Sequence, residues 1–242
     1  MAYAEGEPPA SLRAAVVCLW RRDAEPDPTP SLILPDGCVD LIWQSGRGVF
    51  LAGPDTRPVT ADQRPGHILR GVRLQPGAGG PVLGLPLDPL RNLRVDLADL
   101  HPSAARHVHG DLHPDEALRR LVALTGSFAE QRPPDPVLLA AARLLDDPAA
   151  RVHELGTHLD LSERQLRRRF TAAVGYGPKT LHRVLRFRRF LTMLDASPAT
   201  GLAELAVRAG YADQAHLTRD AVQLAGRPPA ALARMRKTRG HD

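Results

Sequence analysis

Two cysteines in 242 residues, Cys18 and Cys38, exclude a disulfide framework and rule out a four-thiolate zinc site. Aromatic residues are also scarce, at 4%, so any core must be built mainly from Leu, Val and Ala. No apolar run approaches the ~20 residues that cross a bilayer. The first ten residues are polar and proline-containing, unlike a secretory leader. A soluble, cytoplasmic chain with no membrane partner is expected. Also missing are the G-x-S-x-G elbow, the phosphate-cradling glycine loop that ends in Lys, and a dinucleotide fingerprint. Nothing here reads as an enzyme, and no cofactor is expected.

Four histidines, His101, His107, His109 and His113, fall within thirteen residues. Only His109 and His113 have the i, i+4 spacing of a helical metal pair, and no carboxylate–histidine zinc motif accompanies them. No metal is expected. Cys38 beside an apolar strand reads as a small core residue in preference to a sensor thiol.

The charge that is present is unevenly placed. Residues 1–134 hold 14 Lys and Arg against 16 Asp and Glu, a net of −2, whereas residues 135–242 hold 18 against 11, a net of +7. A basic C-terminal half beside a mildly acidic N-terminal half suits nucleic-acid binding by one and a separate task for the other.

That basic half is organised around Leu205 to Leu232. Leu205, Ala206 and Ala209 give one short helix an apolar face, Gly210 ends it, and Asp213 can cap a second helix. In the second helix Leu217, Ala221 and Leu224 recur at i, i+4 and i+7, leaving Gln214, Thr218 and Arg219 outside. Two short helices at a glycine turn, the second rich in donors on its free face, form the layout of a DNA-reading helix-turn-helix. The pattern occurs twice. Leu166, Phe170, Gly175, Pro178 and Leu181 repeat the spacing of Leu217, Ala221, Gly226, Pro229 and Leu232 at an offset of 51, and Leu155 precedes Leu205 by 50. A period near 50 reads as a duplicated structural unit.

In the first copy Ser162 and Gln165 have capping-box spacing. Leu166 and Phe170 face inward, which turns Arg164, Arg167 and Arg168 outward. Arginine can pair bidentately with guanine O6 and N7 or neutralise phosphate; Gln214 can pair with adenine, Thr218 can meet a thymine methyl or a phosphate, and Arg219 suits guanine or phosphate. Asp213 reads as a cap and His216 as cover for the core edge. Helices are expected at 137–146, 151–159, 163–174, 178–195, 202–209, 214–225 and 229–237. The long one at 178–195 is apolar enough to touch both units and to hold the readers roughly 34 Å apart, one DNA turn.

The N-terminal half reads differently. Short strands are expected within 11–22, at 32–34, 39–43, 49–53 and 67–74, with Gly and Pro between them, which indicates a β-rich sandwich or barrel. Asp36-Gly37 reads as the turn of a hairpin joining 32–34 to 39–43. Helical patterning begins at Leu97 and breaks near Pro114. Residues 126–136 have the composition of a linker. The fold class is therefore α+β: a β-rich domain with C-terminal helices at 1–125, the linker, and an all-α twin helix-turn-helix domain at 137–237. Asp36, Asp40, Arg57 and Arg73 are the polar groups beside apolar strands that would line a ligand pocket. Asp55 belongs to the same set, and the alternative reading is that all are turn residues and surface ion pairs.

The segments LSERQLRRRF, GYGPKTL, AGYADQAHLTRD and GRPP resemble the signature of AraC-type transcriptional regulators, over about the last 100 residues. The resemblance implies that 163–174 and 214–225 are reading helices, with base contacts on Arg164, Arg167, Arg168, Gln214, Thr218 and Arg219. Ala221 stands where the family usually has Phe, and Asp160 where Gly is common. Loss of a buried Phe costs ~3–5 kcal/mol unless the space is refilled, so a repacked or less stable second unit is expected. PDGCVDLIW, AGPDTRP and GVRLQPGAGGPVLG are similar to a short domain of unassigned function that precedes this DNA-binding module. By the family's logic that domain senses a small-molecule effector, dimerises, or both. Double-stranded DNA is the expected partner. RNA polymerase, an effector and a homodimer partner stay open, as does a regulator whose N-terminal domain only dimerises or docks another protein. An enzyme domain fused to the DNA-binding module is the remote alternative.

Overall fold

The computed structural model describes residues 3–23, 31–61 and 65–239. Strict alternation along β4 (Val39–Gln44) sets the architecture of the first half: Val39, Leu41 and Trp43 enter the main core, while Asp40, Ile42 and Gln44 line a cavity on the opposite face. Both edges of β4 are taken, by β5 (Gly48–Ala52) and β7 (Leu69–Leu74), in antiparallel register. β2 (Val16–Arg22) pairs with β7, β1 (Tyr3–Gly6) with β2, and β8 (Arg94–Asp96) with β5, completing one open six-stranded sheet in the order β1-β2-β7-β4-β5-β8.

The expected hairpin between 32–34 and 39–43 does not form. β3 (Ser31–Ile33) pairs with β6 (Val59–Ala61) in a separate two-stranded sheet, because β4 has no free edge to offer. Asp36 and Gly37 still turn the chain, with Gly37 at φ +89° and the Asp36 carboxylate accepting from Cys38 N at 2.9 Å. The β-rich half is thus an open sheet with a small second sheet across a cavity, not a closed barrel.

One face of the large sheet is covered by α4 (Pro114–Gln131), whose Ala117, Leu121, Leu124 and Phe128 join Leu41, Leu51, Val72 and Leu74 in a single core. α4 runs through Gly126 and Ser127, so the expected linker at 126–136 is helical as far as Gln131. Phe128 anchors this last turn, buried beside His101 at a ring separation of 5.2 Å. Between sheet and α4 the chain makes α1 (Gly79–Leu83), α2 (Leu97–Leu100) and α3 (Pro102–Ala105).

The C-terminal half is helical throughout: α5 (Pro136–Leu145), α6 (Leu155–His158), α7 (Glu163–Val174), α8 (Pro178–Ala196), α9 (Leu202–Arg208), α10 (Gln214–Ala225) and α11 (Pro229–Arg239). Gly175 at φ +90° and Gly226 at φ +66° end the two equivalent helices α7 and α10. α8 serves both units. Leu181 and Leu185 enter the core of the first, while Val184, Phe187, Phe190, Leu191 and Leu194 enter the core of the second. Asp160 takes the left-handed backbone at φ +52° that a glycine would adopt without strain. No described helix is long and apolar enough to cross a membrane.

Candidate DNA-reading faces and the N-terminal cavity

The first reading helix is fixed at its start by a full capping box. The Ser162 hydroxyl accepts from Gln165 N at 3.2 Å, and Gln165 Oε1 accepts from Ser162 N at 3.1 Å. Leu166, Phe170, Ala173 and Val174 are buried, so Arg164, Arg167 and Arg168 stand exposed on one side. Arg169 turns away from them to pair with Asp135 at 2.5 Å, and Asp135 also caps α5. Asp88 of the N-terminal half borders the arginine face, and Leu87 N donates to Ala172 O at 2.9 Å.

The second reading helix starts at Asp213, whose carboxylate accepts from His216 N at 2.6 Å. Gln214 and Arg219 are exposed; Thr218 is half-buried, its hydroxyl donating to Gln214 O at 2.8 Å. His216 packs edge-on against Tyr211, 5.2 Å between centroids, and covers the core edge as expected. Around the fully buried Ala221 the cluster is built from Phe187, Phe190, Tyr211, Leu217 and Leu224. The sequence reading missed Asp220. It lies buried, accepting from Arg186 Nη2 at 2.9 Å, while that guanidinium sits 4.3 Å over the Tyr211 ring. The available signal was an acid three residues beyond Leu217, in phase with the apolar stripe.

Opposite α4, the second face of the sheet borders a cavity of about 380 Å³ closed by the β3–β6 pair. Asp36, Asp40 and Arg73 come together there; Arg57 does not, lying exposed and outside the lining. Asp40 Oδ1 accepts from Trp20 Nε1 at 2.7 Å and from Arg73 Nε at 3.2 Å. Arg73 also meets Asp36 at 3.5 Å and Glu5 at 3.3 Å. Asp55 forms a two-bond pair with Arg94 at 3.0 and 2.7 Å. Trp20 and Glu5 come from β2, which pairs with β7, and from β1, which pairs with β2; no local pattern announces either pairing.

Burial dominates the titration of this region. It pushes the Cys18 thiol up to about 11 and raises Cys38 well above the ordinary thiol value, which leaves both poor nucleophiles at neutral pH. Burial also raises the Asp40 carboxyl, Asp36 adds to the rise, and Arg73 opposes it. Tyr176, directly after α7, has a buried hydroxyl without a hydrogen-bond partner among the described residues. Its pKa is pushed up by burial and by Asp36, Cys38 and Asp55. Among the described residues no group of three or more His, Cys, Asp or Glu side chains is placed to hold a metal. His101 meets Leu83 O at 2.8 Å, His107 meets Ser103 O at 3.0 Å, and His113 caps α4.

Leu34 connects the two halves. It lines the cavity and packs against the core of the second helix-turn-helix unit. Three residues on, a Cβ at Gly37 would lie 2.8 Å from Leu181 Cδ1, so this wall of the cavity lies along α8.

The C-terminal features are those of a helix-turn-helix DNA-binding domain. Residues 155–235 match the model of a helix-turn-helix domain, of the AraC type, and residues 4–96 match a domain of unknown function, DUF6597. No curated protein matches the sequence. Similar solved structures include ToxT from Vibrio cholerae, with 7% identity, TM-score 0.49, and coverage of 97% of this chain and 99% of that one. Another is ToxT from Vibrio cholerae O395 bound to (E)-4-(8-methylnaphthalen-1-yl)but-3-enoic acid, with 9% identity, TM-score 0.48, and coverage of 98% and 100%. A third is unsaturated fatty acid bound wild-type ToxT from Vibrio cholerae strain SCE256, with 12% identity, TM-score 0.43, and coverage of 95% and 97%.

Proposed function

We propose that this regulator reads two successive major-groove segments, one with α7 and one with α10, and that a small molecule in the N-terminal cavity sets how the two readers are held. Arg164, Arg167 and Arg168 supply one or two guanine contacts and otherwise neutralise phosphates. Gln214 reads adenine, Thr218 a thymine methyl or a phosphate, and Arg219 guanine or phosphate. Apart from Thr218, which is half-buried, these side chains are exposed at the positions that the repeat makes equivalent faces of the two units. The protein acts without turnover, in the cytoplasm, beside RNA polymerase at a promoter, and a second copy can occupy an adjacent site.

Effector gating rests on Leu34, a single side chain shared by the cavity wall and the core of the second unit. A ligand that shifts the β3–β6 pair acts on one reader directly and reaches the other through α8. Only differential affinity for two arrangements can produce such a shift.

The test selects bound sequences from random duplex DNA with the full chain, then footprints the best of them at two salt concentrations. Two adjacent protected groove segments are expected, with Arg168→Ala and Gln214→Ala each losing protection over its own half. Protection of one segment only, or diffuse salt-sensitive binding unchanged by both substitutions, would refute the twin-reader mechanism.

A further inference from the structure

We infer that the N-terminal cavity takes an organic cation, an ammonium or guanidinium group carried on an aromatic or branched apolar body. The inference rests on the reading of this cavity as the effector site and deepens it. At one end of the cavity Arg73 is met by two lining carboxylates, Asp36 at 3.5 Å and Asp40 at 3.2 Å, and by Glu5, outside the lining, at 3.3 Å. Three other guanidiniums line the wall: Arg94 is held by Asp55 at 2.7 Å, Arg47 by Asp96 at 2.7 Å, and Arg22 lies 5.7 Å over the Tyr3 ring. Around Arg73 itself three carboxylates face one guanidinium, so the local surplus there is negative. An anionic ligand would compete with three acids for one guanidinium and be repelled by all three. A cation relieves their mutual repulsion.

The remaining wall favours the same class. Tyr3, Trp20 and Phe50 present aromatic surface to the cavity, beside Ile33, Leu34 and Ile42. The Trp20 indole lies flat over Gly71, where a Cβ would sit 2.1 Å from the ring, and its N–H is held by Asp40. A ring face locked beside a carboxylate is the arrangement in which cation–π attraction and a charge-assisted hydrogen bond act on one group. The raised carboxyl of Asp40 agrees: burial and Asp36 together outweigh Arg73, and a ligand cation supplies the missing counter-charge. A volume of about 380 Å³ admits a body of one ring with branched substituents.

The experiment uses the full-length protein and three near-isosteres that differ in charge: 4-tert-butylbenzylamine, 4-tert-butylbenzyl alcohol and 4-tert-butylbenzoate. Calorimetric titration gives the affinities, and retention on selected duplex DNA is measured with and without each compound. The amine should bind at least about tenfold tighter than the alcohol, with the benzoate weakest. Asp40→Asn and Asp36→Asn should each remove most of that preference and leave the alcohol nearly unchanged. Two variants guard against one failing to fold, and melting temperature checks both. The inference is overturned if the alcohol or benzoate equals the amine, if none of the three binds at millimolar concentration, or if both variants keep the preference. Tight benzoate binding that alters DNA retention would sink the cation and keep the effector reading. Amine binding with no effect on DNA would do the reverse.

Discussion

In the first unit Arg169 of α7 reaches Asp135 at the start of α5; in the second Asp220 of α10 reaches Arg186 of α8. Positions 169 and 220 are equivalent in the repeat, so each unit ties its reading helix to its own first helix with the charges reversed. The settings differ as well. The first pair is partly open, its side chains 37% and 24% exposed, and the second is nearly closed at 13% and 9%. A second contrast concerns the N-terminal half. The first unit is pressed against it: a Cβ at Gly80 would lie 2.7 Å from the backbone of Ala172 and Ala173, and one at Gly175 would lie 2.3 Å from Pro54. The second unit meets it more lightly, through Leu34 and at ordinary contact between Pro58 and Gly226. One reader is seated on the N-terminal domain and the other rests against the side of it that carries Leu34 and Pro58. Under the proposed effector gating, such asymmetry would let a single ligand change the relation between two readers.

The largest expected effect comes from the ion pairs. Asp220→Ala strands a buried guanidinium and should cost ~3–5 kcal/mol in denaturant unfolding, whereas Arg169→Ala should cost about 1 kcal/mol or less. Equal losses would dissolve the contrast. Next come the helix ends. Gly175→Ala meets both left-handed strain and Pro54 and should cost about 3 kcal/mol. Gly226→Ala meets the strain alone, about 1 kcal/mol. Thermal melts of the pair check this. Between these two, Ala221→Phe should destabilise by ~1–3 kcal/mol through overpacking, because Phe187, Phe190 and Tyr211 already build the cluster around it. A rise in stability would show that the second core is underfilled.

The smallest effect is a pH slope. The His182 pKa is lowered by burial and by Arg186 and Arg189, and its buried Nε2 has no partner among the described residues. The unfolded chain therefore binds the proton more readily, so this contribution is complete above the unfolded pKa of ~6.5 and fades as pH falls through it. Unfolding midpoints at high and low pH should differ by more in the native protein than in His182→Gln.

The C-terminal half was legible because its signals are local. Glycines and prolines mark the ends of α7, α8, α10 and α11, and the apolar period between them leaves the reading side chains as the remainder. The N-terminal half hid what depends on distant pairing. β3 found β6 rather than β4, and short edge strands such as β1 and β8 carry too few residues to show a period. Gly126 and Ser127 suggested a linker by composition, but burial of Phe128 outweighs the poor propensity of one glycine. Asp36, Asp40 and Arg73 stood out as charges beside apolar strands, and sheet register gathers them at one cavity. Arg57, picked by the same rule, falls on an exposed turn.

The reversed charges bear on how a duplicated chain avoids assembling wrongly. Either reading helix could dock on the first helix of the other copy, either within one molecule or by exchange between two, a common failure of tandem repeats. Here the wrong docking sets Arg169 against Arg186 and Asp220 against Asp135. Each mismatch is repulsive, and the one in the second site is also buried. The two pairs thus act as keys cut for different locks, and reversing one of them, as in Arg169→Asp with Asp135→Arg, would make the copies interchangeable and open a route to swapped dimers.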